Sequence, residues 1–287
     1  MKTNKKFKNS VFAMLFNDPD LLRELYCALG GETLPPDTPV SINTLKNVLF
    51  MDFNNDISFE IGGKMVILVE HQSTINPNMA IRLLIYHTRV LEKKVKSDTL
   101  YSKSKISIPW PEFYVLYNGK ENFPDEAILK LSYHYNKPQD LGLNEKPYPL
   151  LELEVKVINI NEGKNQKIAA RCKKLSEYII FMAKIRDFWK KYGDLEKAIK
   201  MAIKYCQKND ILNEFLEVHG SEVLNMILTE WNTEDAIAYA REEAREEGHV
   251  KGSVEGWEKC SSHVIELMEQ GLTVEEIKER LTRTTTN

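Results

Sequence analysis

The chain has 287 residues, 43% hydrophobic and 28% charged, and carries a formal net charge of −3. That composition supports an ordinary buried core and excludes a global basic field, so contact with nucleic acid has to come from local patches. Cys27, Cys172, Cys206 and Cys260 show no CxxC or Cys/His spacing, which excludes a zinc-type site and fits idle thiols in a reducing cytoplasm.

The N-terminus, MKTNKKFKNSVFAMLFNDPD, is basic and then apolar, but its apolar run is too short for a signal segment. Nothing in the chain approaches the roughly 18 apolar residues of a membrane span. Residues 10–30 read as helix, with Val11, Leu15, Leu21, Leu22, Leu25 and Leu29 near helical spacing, a break at Asp18-Pro19 and a stop at Gly30-Gly31. PPDTP at 35–39 reads as a loop. From Leu45 to His71 the pattern changes to strands, and Asn78 to Lys96 returns to helix. PEFYVLYNG (111–119) is a strand ended by the turn signal Asn118-Gly119, and LLELEVKVINI (150–160) is another. Beyond about Lys164 the chain reads as helix. Strands first and helices second suggest an α/β core with a helical C-terminal region.

The stretch NDISFEIGGKMVILVEHQST (55–74) is a hairpin around Gly62-Gly63. Alternation puts Asp56, Ser58 and Glu60 on one face of the first strand, while Glu70 and Gln72 share a face of the second. A three-residue loop, Gly62-Gly63-Lys64, sets Asp56 opposite Glu70. A two-residue Gly62-Gly63 turn instead pairs Asp56 with Val69 and puts the two acids on opposite faces. Two opposed carboxylates, with Cβ atoms roughly 5 Å apart, repel unless a proton or cation lies between them. Magnesium suits such oxygen donors. Without the opposed register, the two residues read as charges at the exposed ends of strands. His71 faces away from Glu70 and reads as a core histidine rather than a general base.

Arg82, Arg89, Lys93 and Lys96 fall within about 80° of one another on a helical wheel, a basic stripe able to meet a phosphate backbone without reading sequence. Lys103 and Lys105 follow in a loop. Nothing in 165–232 looks chemical. From Ala236, small residues recur every four (Ala240, Ala244, Gly248, Gly252, Gly256), a marginal helix that could order on a partner. The last element, His263 to Leu281, reads as two short helices broken at Gly271, with a capping box at Thr273 and Glu276. Its glutamates argue against DNA and for a helical hairpin or homo-oligomer contact.

Three groups of residues carry a family resemblance. They are Asn55-Asp56-Ile57-Ser58-Phe59, then Ile67-Leu68-Val69-Glu70-His71-Gln72-Ser73-Thr74, then Asn76-Pro77-Asn78-Met79 with Arg82 and Tyr86. With FYVLYNG (113–119) and LEVKVININ (153–161), they resemble the Rpn family, the recombination-promoting nuclease and transposase-like branch of the PD-(D/E)XK superfamily. The resemblance implies a restriction-endonuclease-like mixed sheet flanked by helices. It is clearest over about residues 10–165, and with the helical pattern beyond it the chain divides into a nuclease-like core (1–164), a helical subdomain (165–232) and a Glu/Gly-rich tail with a terminal helical hairpin (233–287). It also implies a Mg²⁺- or Mn²⁺-dependent DNA endonuclease in which Asp56 and Glu70 hold the metal. Gln72 stands where the superfamily has lysine, and Glu24 is the best-placed match to the acid that some members carry on the first helix. The other reading is a nuclease-fold scaffold acting through protein contacts, favoured by Gln72 and by the acidic balance.

Overall fold

The computed structural model describes residues 10–43, 56–71, 76–119, 121–136 and 148–231, with the side chains of Asp56, Glu70 and His71 left undescribed. The chain forms two compact units, Met1–Glu230 and Trp231–Asn287. All described residues but Trp231 belong to the first. The small-residue stripe and the terminal hairpin expected after Ala236 lie outside the described residues.

The N-terminal helical stretch is two helices, α1 (Val11–Leu15) and α2 (Pro19–Gly30). The break has a local cause. The Asp18 carboxylate accepts the amides of Asp20 and Leu21 at 2.9 and 3.0 Å and so starts a new helix, with Pro19 in its first turn. Gly31, at φ 72°, closes α2 in the left-handed conformation that glycine adopts at low cost.

Six strands follow: β1 (Val40–Ile42), β2 (Asp56–Ile61), β3 (Lys64–His71), β4 (Trp110–Tyr117), β5 (Glu126–Lys130) and β6 (Glu154–Asn159). They form one mixed sheet in the order β1-β2-β3-β4-β6-β5, parallel at β3/β4 and β4/β6 and antiparallel elsewhere. Parallel neighbours need a crossover, and α3 (Met79–Lys94) supplies it between β3 and β4. Its buried residues Met79, Ala80, Leu83, Tyr86 and Val90 pack on Met65, Ile67, Val69, Val115, Val155 and Val157.

The opposite face of the sheet receives the helices at the two ends of the chain. Tyr26 of α2 meets Phe59 of β2 edge to face at 6.4 Å. After β6 come α4 (Gln166–Arg171), α5 (Lys173–Tyr192), α6 (Leu195–Lys208) and a helix over 213–231. Phe12 of α1 meets Tyr178 of α5 at 5.4 Å, so the helical C-terminal region shares a core with the N-terminal helices.

β1 and β5 escape the pattern-based reading because both are short edge strands with little apolar alternation. β5 is fixed instead by pairing with β6, where Lys156 meets Glu126 and Lys130 meets Glu154 at 3.2 and 2.6 Å. The strand expected at 150–160 begins only at Glu154. Leu150 remains 80% exposed and outside the ladder. Among the described residues no helix is long and apolar enough to cross a membrane.

Candidate functional site at the C-terminal edge of the sheet

The hairpin closes by the tighter of its two readings. Gly62 and Gly63 have φ 56° and 81°, and Ile61 pairs with Lys64. A two-residue turn with positive φ at both positions matches the twist of the flanking strands, and a Gly-Gly pair meets that demand without steric cost. Asp56 is therefore paired with Val69, not Glu70, and the direct opposition that a three-residue loop would give is not formed. Asp56 is the first residue of the β2–β3 ladder, while β3 runs on through Glu70 and His71 beside Leu116 and Tyr117 of β4. Both acids thus sit at one end of the sheet, one residue out of register. Gln72 lies outside the described residues. Among those described, no group of three His, Cys, Asp or Glu side chains could hold a metal ion.

Glu24 is half-buried and already engaged. Its carboxylate accepts the amide of Lys173 at 2.9 Å, capping the first turn of α5 from α2. Its carboxylate therefore has a structural task, holding the start of α5 against α2. The basic stripe is shorter than expected. Arg82, Arg89 and Lys93 lie on α3, but the helix ends at Lys94 and Lys96 follows in extended backbone. Arg89 leans on Glu92 at 3.7 Å, both exposed, and Lys94 is ion-paired with Glu60. Lys103 and Lys105 are exposed in the loop that follows.

The helical half reaches the end of the sheet. Arg186 of α5 reaches the end of β4, where its Nη2 donates to Oδ1 of Asn118 at 2.9 Å and to the Asn118 carbonyl. Its Nη1 donates to Oδ1 of Asn161 at 2.9 Å. Asn161 in turn donates to the Gly119 carbonyl and to Oδ1 of Asn159, and Asn159 donates to the Phe123 carbonyl at 2.8 Å. Asn118 and Asn159 are only 1% and 2% exposed. An open pocket of about 420 Å³ adjoins this network, lined by Glu121, Glu162, Lys164 and Arg186 among others. The sequence marks Asn118 and Asn159–Asn161 as strand ends, but it carries no sign that α5 aims an arginine at them.

Cys172 and Cys206 are poor candidates for chemistry. Burial pushes the Cys172 thiol up to about 12 and the Cys206 thiol up to about 11, so both stay protonated at neutral pH. Burial also holds His87 below its usual range, where it packs edge to face on Phe113 at 5.7 Å as a neutral ring.

Fold and site together define an α/β protein with a six-stranded mixed sheet, helices on both faces and two acids at one sheet end. The family model described as "Putative transposase, YhgA-like" matches residues 43–208, more than half of the chain. The protein belongs to that family, which associates it with mobile DNA and agrees with the resemblance read from the hairpin. Neither the curated proteins nor the solved structures contain a significant match.

Proposed function

We propose that the protein is a magnesium-dependent DNA endonuclease that hydrolyses phosphodiester bonds at the C-terminal edge of its sheet. The observation that carries this reading is that Asp56 and Glu70 stand at the same sheet end, on adjacent rows of β2 and β3, in a chain of a transposase-like family. Two carboxylates and the His71 carbonyl form a hard oxygen donor set suited to Mg²⁺ or Mn²⁺. A bound divalent ion would lower the pKa of a coordinated water and offset charge on the phosphate.

Glu70 and Asp56 hold the charge balance of the site. Gln72 supplies an amide oxygen that orients the attacking water and an NH2 that donates to a phosphate oxygen. The water oxygen forms the new P–O bond as the ester P–O bond breaks. The proton lost by that water passes to solvent, and the leaving alkoxide takes one from solvent. Arg82, Arg89 and Lys93 on α3, with Lys96 beyond it, hold the DNA backbone without selecting sequence.

Plasmid nicking with Mg²⁺ tests the assignment. Wild type is expected to nick, and Asp56→Ala and Glu70→Ala to lose on the order of a hundredfold or more in rate. Equal cleavage by all three removes the assigned site. The second reading, a nuclease-fold scaffold, is favoured by Gln72 in place of lysine and by the Asp56–Val69 register. Absence of both nicking and Mg²⁺ binding by calorimetry would establish it.

A further inference from the structure

We infer that the loop from Leu100 to Trp110 is a binding surface for single-stranded DNA, in which Tyr101 and Trp110 stack on bases and Lys103 and Lys105 hold phosphates. The inference takes from the nuclease reading only that DNA is the partner, and it needs neither a metal ion nor turnover.

After α3 the chain makes a short 3-10 turn (Ser97–Tyr101) and an open loop before β4 begins at Trp110. Trp110 shares a row with Lys64 at the hairpin, and its amide donates to the Gly63 carbonyl at 3.0 Å. The loop therefore joins the sheet at the end away from Asp56 and Glu70. At about 3.3 Å per residue along β4, the two ends are roughly 23 Å apart.

This loop leaves large apolar side chains in solvent. Tyr101 is 91% exposed and Trp110 73%, with Leu100 at 65% and Ile108 at 50%. Single exposed hydrophobics need no explanation, but several in one stretch mark a surface that meets a partner. Charge says which partner. Lys103 and Lys105 lie between the two aromatics in sequence, both exposed, and no acid among the described residues pairs with either. Over residues 96–110 three lysines stand against a single acid, Asp98, so the stretch is net positive in a chain of net charge −3. Glu112, just beyond it, is held by Lys64 at 2.9 Å.

A polyanion answers the lysines, and exposed base faces answer the rings. Every base presents a π-face, so aromatic side chains interleaved with cations bind single strands with little regard to sequence. In a duplex those faces are already stacked, and phosphate contacts would use the lysines while leaving Tyr101 and Trp110 idle. A protein partner fits less well. Interface cores are depleted in lysine, and two unpaired ammonium groups would have to be desolvated along with the rings. The family's association with mobile DNA favours DNA over RNA.

None of residues 100–110 is buried, so substitutions there test binding rather than folding. Fluorescence anisotropy of a labelled oligothymidine, with the full chain in EDTA, separates binding from cleavage. Wild type is expected to bind. Tyr101→Ala and Trp110→Ala should each weaken binding roughly tenfold, while Tyr101→Phe and Trp110→Phe keep it because a ring remains. Lys103→Gln combined with Lys105→Gln should lower the slope of log K against log salt by about 1.4, the value for two phosphate contacts on a single strand. Binding of a duplex of the same length should be indifferent to the two alanine variants. No binding by wild type, or equal binding by wild type and every variant, overturns the inference, as does an equal loss on duplex and single strand. Tighter binding of an oligouridine assigns the surface to RNA and overturns it too. If Trp110→Ala abolishes a wild-type dimer in sedimentation and leaves oligothymidine binding intact, the surface is a contact between copies and the inference fails. If Trp110→Ala does not fold, Tyr101→Ala decides by the same criterion. Because the assay contains no free Mg²⁺, plasmid nicking can fail while oligothymidine binding stands, and the reverse, so the two readings fall separately.

Discussion

Glu177 is 7% exposed, a carboxylate on α5 in an otherwise apolar stretch. It accepts the ammonium of Lys174 at 3.1 Å and the amide of Leu212 at 3.2 Å. Leu212 is buried at φ 49°, a left-handed backbone that costs a branched side chain about 1–2 kcal/mol. Glu177 thus holds the strained turn between α6 and the helix over 213–231. Glu177→Ala is expected to cost about 2–3 kcal/mol by leaving that amide without its partner. Glu177→Gln should recover about half, since its amide oxygen still accepts. Chemical denaturation of the two variants measures this, and equal stability of both with wild type would contradict the assignment. Glu24 carries the same lesson. From the sequence it is an acid on the first helix, and only the fold shows its carboxylate capping α5.

At the scale of elements, the hairpin decides most about the candidate site. The sequence leaves two loop lengths open, and the difference between them is one residue of register. Both glycines adopt positive φ, and a Cβ at either would meet nothing within 4 Å. Substitution there tests backbone strain alone. Gly63→Ala should destabilise by about 1–2 kcal/mol. Gly62→Asn should stay within about 0.5 kcal/mol of wild type, because asparagine is favoured at the first position of such a turn. A larger loss for Gly62→Asn than for Gly63→Ala in thermal melts would argue against this turn. β4 and the body of β6 were legible from apolar runs with turn residues behind them. β1 and β5 were not, because a short edge strand owes its conformation to its neighbour rather than to its own pattern. The basic stripe was legible as periodicity, but the point at which α3 ends was not, and Lys96 falls beyond it.

Across the whole molecule, the end of the sheet away from the candidate site is held by a charged and phenolic cluster. The Lys64 ammonium donates to the Tyr26 hydroxyl at 2.7 Å and pairs with Glu112 at 2.9 Å and Glu32 at 3.2 Å. Tyr114 donates to Glu112 at 3.1 Å. The Lys64 pKa is raised, first by the hydrogen bond with Tyr26 and then by Glu112; those of Tyr26 and Tyr114 are raised first by burial. All three groups therefore hold their protons more tightly folded than unfolded. Their contribution is fully present below the ordinary values of 10.0 for tyrosine and 10.5 for lysine and is lost as pH rises toward the folded values. Melting temperature should fall steeply above about pH 10, and Tyr114→Phe should soften that fall by removing one of the raised groups. An unchanged alkaline slope in Tyr114→Phe would mean that the loss arises elsewhere.

The sequence by itself determined the class of elements, the order of strands before helices and the acids at the hairpin ends. It also carried the family, because the run through Glu70 and His71 is contiguous and needs no partner to be recognised. Tertiary structure alone decided the hairpin register, the trans cap by Glu24 and the placement of Arg186. The reason is separation along the chain. Periodicity and turn chemistry act over a few residues, whereas Arg186 meets Asn118 across 68 residues and Glu24 meets Lys173 across 149. Contacts of that span are set by how helices pack on a sheet, and no local spacing encodes them.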